Sequence, residues 1–231
     1  MRFIPVAAAA LVAVAPAAAQ RAQRSFEGVV KYRLTTEGRT VDVTYMTKGD
    51  RVRSEMQMDG MGMAMLMDAS ATTMTTIMPS ERMYMTMDLS RMRGRTEGAD
   101  TAVAEFTATG RTETIAGHEC EHYLTGTNQN TDMCVATGLG YYLGGGGPGR
   151  RGPGSGSSSF GVPRPGDARM AEFRGKFKDG FFPLRLTVTE GGKVTTDMVV
   201  TSIERRALAD DLFTVPADFT EMRMPGMGPR P

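Results

Sequence analysis

The feature that most restricts the fold is an alternation of apolar and polar residues with a period of two, sustained along most of the chain after residue 25. Successive side chains of a β-strand point to opposite faces, so a half-buried strand reads this way. An amphipathic helix repeats at three and four instead. Phe26, Val30, Tyr32 and Leu34 share one parity, as do Val41, Val43 and Tyr45. Val52, Met56 and Met58 alternate with Arg51, Arg53, Glu55 and Gln57. Met63, Met65 and Met67 form the next set, and Met83, Met85, Met87 and Leu89 alternate with Arg82, Tyr84, Thr86 and Asp88. Turn-forming strings divide the runs: Glu37-Gly38, Lys48-Gly49-Asp50, Asp59-Gly60, Asp68-Ala69-Ser70 and Pro79-Ser80-Glu81. The parity changes between Met58 and Met61, as it must where a tight turn or a bulge exchanges the two faces. The pattern predicts a meander of short antiparallel strands.

Residues 56–68 read MQMDGMGMAMLMD, and RMYMTMDL follows; the chain has 20 Met and no Trp. Methionine is unbranched and polarizable, so it fills irregular core gaps and also makes adaptable binding surfaces. Val52, Met56, Met58, Met63, Met65, Met67, Met83, Met85 and Met87 are therefore the residues expected to line a concave apolar surface. Thioethers also bind soft metals. The alternative reading is a copper or other metal site drawn from Met63, Met65 and Met67 with His118 and His122.

Further strands are expected at about 104–115, 117–125 and 131–136, after a polar linker at 90–102. In GHECEHY, His118, Cys120 and His122 alternate and so share a face. The two histidines would lie about 13 Å apart along one strand, too far to hold a single ion. The string NQN at 128–130 suggests a hairpin with Cys120 opposite Cys134, which places His122 opposite Asp132 and His118 opposite Ala136. Cys120 and Cys134 are the chain's 2 cysteines, and an even count in an exported protein reads as a disulfide. From about 143 to 168 the composition turns to Gly, Pro and Ser, which predicts a disordered insertion within one domain spanning 25–220. The final strands form a hairpin about Gly191-Gly192. RRALADDLF is the one stretch that reads as a helical turn, and 221–231 reads as a flexible tail.

Residues 1–19 read as a signal peptide, with Arg2, an apolar run and an A-x-A site at Ala17 and Ala19. The expectation is a periplasmic or secreted protein without a lipid anchor or a transmembrane segment, monomeric by default. Formal charge is +1, with Lys+Arg 27 against Asp+Glu 26, so there is no basic excess to hold nucleic acid. No nucleophile elbow or phosphate loop is present, and the 2 histidines are four residues apart. The chain is read as a non-enzyme that needs no cofactor.

The strings RVRSEM, IMPSERMYMTMDL, GRTETIAGHECEHY, FPLRL and DDLFTVPADFTEMRMP occur in an order that resembles one family of exported bacterial proteins. It is known as a domain of unknown function (four-four-one-two) and is similar to the Lol-type periplasmic lipoprotein carriers. The resemblance runs from Phe26 to Pro225 apart from the Gly-rich insertion. It implies a curled antiparallel sheet or half-open β-barrel around an apolar cavity, with one or two short helices as plug or lid. It carries no catalytic residue. The leading expectation is a module that binds a lipid or an acylated peptide; the alternatives are the metal protein above and a structural protein of the cell envelope.

Overall fold

The computed structural model describes residues 26–36, 38–58, 60–89, 105–143 and 170–222. The expected signal peptide, the linker, residues 144–168 of the expected insertion and residues 223–231 of the expected tail lie outside them.

Two runs of strands form one sheet. The first comprises β1 (Gly28–Thr36), β2 (Arg39–Lys48), β3 (Arg51–Met58), β4 (Met61–Asp68), β5 (Thr73–Met78) and β6 (Met83–Asp88). The second comprises β7 (Thr107–Ile115), β8 (His118–Thr125), β9 (Thr131–Ala136), β10 (Phe182–Glu190) and β11 (Lys193–Arg205). Within each run consecutive strands pair antiparallel. The pairing of β1 with β11 joins them into a 12-stranded sheet of order β12-β6-β5-β4-β3-β2-β1-β11-β10-β9-β8-β7. The twelfth strand, β12 (Thr220–Glu221), adds in parallel to β6. The sheet stays open, with β7 and β12 at its edges. Irregularities between Lys31 and Tyr32, and between Val188 and Thr189, fall on the long central strands. An inserted residue bends its strand and raises the local twist, which curls an open sheet. Among the described residues the fold is thus a mainly β, curled open sheet with one short helix.

The parity read from sequence becomes a face. On the inner face Tyr32 stands opposite Val43 and Val200, and Leu34 opposite Val41 and Met198. The helix α1 (Met170–Lys176) packs on this face over the strands of the second run, and residues 139–143 extend from it onto Tyr32 of β1 and Tyr45 of β2. They form an aromatic plug. Phe173 is fully buried, with ring centroids 4.9 Å from Phe181, 5.0 Å from Phe177 and 5.8 Å from Phe106. Tyr142 stacks on Tyr45 at 5.3 Å, and its hydroxyl lies 3.1 Å from that of Tyr32. The Leu143 amide donates to the Tyr45 hydroxyl at 3.2 Å. These contacts give each buried phenol a polar partner, which a buried hydroxyl needs. Burial pushes all three phenols above the usual tyrosine range.

The outer face of the first run is covered differently. Residues 206–222 cross it as a strap: Leu208 packs on Val29 and Met46, while Val215 and Phe219 pack on Ala64, Leu66 and Ile77. Lys48 donates to the Leu208 carbonyl at 2.8 Å and Arg53 to the Leu212 carbonyl at 3.0 Å. The amide of Leu208 donates to Glu27 at 2.7 Å. The strap ends by adding β12 to β6, so an edge that would otherwise present unpaired backbone groups is partly satisfied.

Several details depart from the sequence reading. The segment MAEFRGK is α1, whereas the stretch read as helical forms only a short 3-10 turn at Asp210–Phe213. Met170, Phe173 and Phe177 are spaced three and four apart, a helical signature lost within an aromatic-rich stretch. Leu143, placed at the start of the insertion, is buried in the plug. Glu221, assigned to the tail, lies in β12. The β8–β9 hairpin pairs His122 with Cys134 and Leu124 with Asp132, a register two residues from the one expected. Its loop occupies residues 126–130, with Asn128 and Gln129 in the left-handed region, and is longer than the turn inferred from NQN alone. A two-residue slip preserves the face. Cys120 and Cys134 therefore still bond, as diagonal neighbours with Cα atoms 5.3 Å apart.

Candidate functional site: a methionine-lined sheet face

Cross-strand register assembles the methionines of the first run into rows on the inner face. Val52 stands opposite Met67, Met67 opposite Met74, and Met74 opposite Met87. In the next row Tyr45 stands opposite Ser54, followed by Met65, Thr76 and Met85. Farther along, Val43 faces Met56, Met56 faces Met63, and Met78 faces Met83. A tight turn sets this up. Met58 and Met61 pair across the connection at Asp59-Gly60, and Gly60 has φ 81°, a left-handed conformation that glycine adopts without steric cost. The turn therefore puts Met61, Met63, Met65 and Met67 on the same face as Val52 and Met56 despite their opposite numerical parity.

Across β3–β6 this face carries no charge. Arg51, Arg53, Glu55, Asp68 and Asp88 all lie at the opposite parity of β3, β4 and β6. Val52 and Met67 are buried, whereas Met56, Met63, Met65, Met83, Met85 and Met87 are half-buried. For Met58 only the backbone placement opposite Met61 is described. Met67 belongs to the main core, with Met56 and Met74 packed against it, and Met61 is 59% exposed at the rim. The plug thus fills the inner face over the second run and reaches onto β1 and β2, and the methionine face of β3–β6 continues from it as a less covered apolar surface. Met74 and Met78, which the sequence reading did not include, belong to the same face. Their shared parity in TMTTIM was the available signal.

His118 and His122 do not join these methionines. They lie on β8, near the far edge of the sheet from β4. His122 is on the outer face, where it forms a compact polar network. Its Nδ1 is 2.7 Å from Asp132 Oδ1 and its Nε2 is 3.4 Å from Glu113 Oε2. Arg185 donates twice to Glu113, at 3.2 and 3.0 Å, and Arg111 pairs with Asp132. The Arg185 hydrogen bond holds the Glu113 carboxyl below the usual carboxylate range. Glu113, His122 and Cys134 bring potential ligand atoms within 4.8 Å of one another, but Cys134 is bonded to Cys120. A disulfide sulfur is not a thiolate, and the thiolate is the metal ligand. His118 Nδ1 instead lies 3.2 Å from the carbonyl of Ala116. The hairpin reading had already set Asp132 beside His122, but Glu113 and Arg185 come from β7 and β10, which spacing within GHECEHY could not have revealed.

Residues 26–219 match the family described as "Domain of unknown function (DUF4412)". The chain belongs to the DUF4412 family. Among solved structures, this DUF4412 chain is similar to an uncharacterized conserved protein from Thermus thermophilus. The TM-score is 0.53 at 10% identity, covering 87% of this chain and 93% of that one. That likeness supports the fold. Looser matches are MucB in complex with MucA(peri), with TM-score 0.40, 11% identity and coverage of 87% and 58%, and the Pseudomonas aeruginosa MucA/MucB complex, with TM-score 0.41, 11% identity and coverage of 85% and 58%. The DUF4412 chain spans less than two thirds of those MucB chains. No curated protein matches it. Among the described residues no helix is long and apolar enough to cross a membrane.

Proposed function

We propose that this DUF4412 chain is an exported, non-enzymatic binding module. It takes the acyl chain of a lipid or acylated peptide against the face lined by Met56, Met63, Met65, Met67, Met83, Met85 and Met87, with Val52 completing the surface. One observation carries the reading. Four neighbouring strands present a charge-free, thioether-rich surface that is half-buried and continuous with the core. Burial of apolar area drives such binding at about 25 cal/mol per Å², and methionine's flexible side chain adapts to chains of varied shape. The disulfide fits an oxidising compartment, consistent with export.

The test is titration of the purified protein with a fluorescent acyl probe, alongside lipid extraction and native mass spectrometry. Met65→Lys and Met85→Lys place a charge on the face and should weaken binding at least tenfold. Thr86→Lys, at the opposite parity of β6, should leave it unchanged. Equal affinity in all three variants, or no saturable binding by the wild type, would sink the proposal.

A further inference from the structure

The row Met67–Met74–Met87 runs straight across three adjacent antiparallel strands, each residue directly opposite the next. Directly opposed residues have Cα atoms about 4.5–5.5 Å apart. A methionine side chain has three rotatable bonds. The two outer sulfurs can therefore lean over the central Met74 and meet its thioether at one point. Met67 is 7% exposed and packs in the core, so it forms the floor, while Met74 and Met87 are half-buried and leave a route from solvent. Val52 closes the row on the β3 side.

The chemistry of this donor set is selective. Asp68 and Asp88 pair with Thr73 at the opposite parity of the same strands, so no carboxylate reaches the row. The histidines lie on β8, and both cysteines are held in the disulfide. Neutral thioethers without a hard oxygen or imidazole donor suit a soft monovalent d10 ion and disfavour Zn²⁺, Mg²⁺ or Ca²⁺. Strand preference also bears on the choice of residue. Strands favour β-branched and aromatic side chains, and valine or isoleucine would make this face equally apolar. Methionine at three consecutive cross-strand positions adds sulfur.

We infer that Met67, Met74 and Met87 form a three-thioether site for Cu(I), separate in chemistry from acyl binding because it depends on sulfur and not on apolarity. The experiment is an anaerobic Cu(I) titration of the full chain against a chromophoric Cu(I) chelator. Ag(I) serves as a redox-inert probe of the methionine methyl NMR signals. Wild-type protein should withdraw one Cu(I) per chain, and Ag(I) should shift the methyl signals of Met67, Met74 and Met87 first. The Met67→Leu/Met74→Leu/Met87→Leu variant should lose more than the roughly 10–100-fold that removal of even outer partners costs a metal site. Acyl-probe binding by the wild-type protein is measured separately in metal-free buffer, so failure of the metal site and failure of the acyl proposal are distinguishable. Met56→Leu/Met63→Leu/Met83→Leu, elsewhere on the same face, should bind Cu(I) like the wild type. The single variant Met74→Leu, with Ag(I)-shifted signals lost at Met67 and Met87, provides the same reading if the triple variant folds poorly. No competition by the wild type, equal affinity in the Met67/Met74/Met87 variant, or Ag(I) shifts centred on other methionines would overturn the inference.

Discussion

Replacing Phe173 with alanine tests the plug directly. The ring is fully buried and lies among Phe106, Phe177, Phe181 and Tyr141, with centroids 4.7 to 6.5 Å apart across the cluster. A buried phenylalanine removes on the order of 150–250 Å² from water, which at about 25 cal/mol per Å² is roughly 4–6 kcal/mol. Alanine retains part of that burial, and the neighbouring rings relax only partly into the space. The expected loss is about 3–5 kcal/mol. Since a domain's whole stability is about 5–15 kcal/mol, the variant should unfold at a much lower urea concentration. Phe173→Leu keeps most of the volume and should cost less than about 1.5 kcal/mol. Urea titrations followed by tyrosine fluorescence and far-ultraviolet circular dichroism measure both, tyrosine being the reporter because the chain has no Trp. A loss below about 1 kcal/mol for Phe173→Ala would refute the reasoning, since a surface position typically shows changes of that order. It would mean that α1 does not dock on the inner face.

Reducing the Cys120–Cys134 bond, 14 residues apart in sequence, should cost on the order of 3 kcal/mol in urea titrations with and without reductant. Glu113 and Asp68 both have folded-state carboxyls held below their ordinary values, first by Arg185 and by Ser70 respectively. Their contribution is present above the unfolded pKa and disappears as pH falls through the folded one. The urea midpoint should therefore drop on acidification below about pH 4.5, and Arg185→Met should flatten that dependence. Gly28→Ala would bring a Cβ within 2.2 Å of the Glu204 carbonyl where β1 meets β11, so the strands must separate. Thermal unfolding should show a loss of about 1–3 kcal/mol.

The methionine face was legible because alternation is a property of each strand alone. Met63, Met65 and Met67 must share a face in any register, and Asp59-Gly60 marks where parity inverts. The disulfide was legible for a related reason: a slip of two residues in the β8–β9 hairpin moves Cys120 along its own face without turning it away from Cys134. Helix α1 was not legible. It has only seven residues, and its spacing of Met170, Phe173 and Phe177 is embedded among aromatic positions that also suit strands. The network around His122 was only partly legible: the hairpin reading already set Asp132 beside it, whereas Glu113 and Arg185 reach it from β7 and β10.

By itself, the sequence determined that this is an antiparallel β protein and which side of each strand is apolar. Both follow from side chains alternating every second residue. Tertiary structure decided which residues become neighbours. Turn length sets the register that aligns Met67, Met74 and Met87, and the β1–β11 pairing joins segments far apart in the chain. The plug and the strap then cover different faces of the sheet. A strand's pattern fixes its own two faces, but the partner across the ladder and the layer packed above it depend on the path of the whole chain.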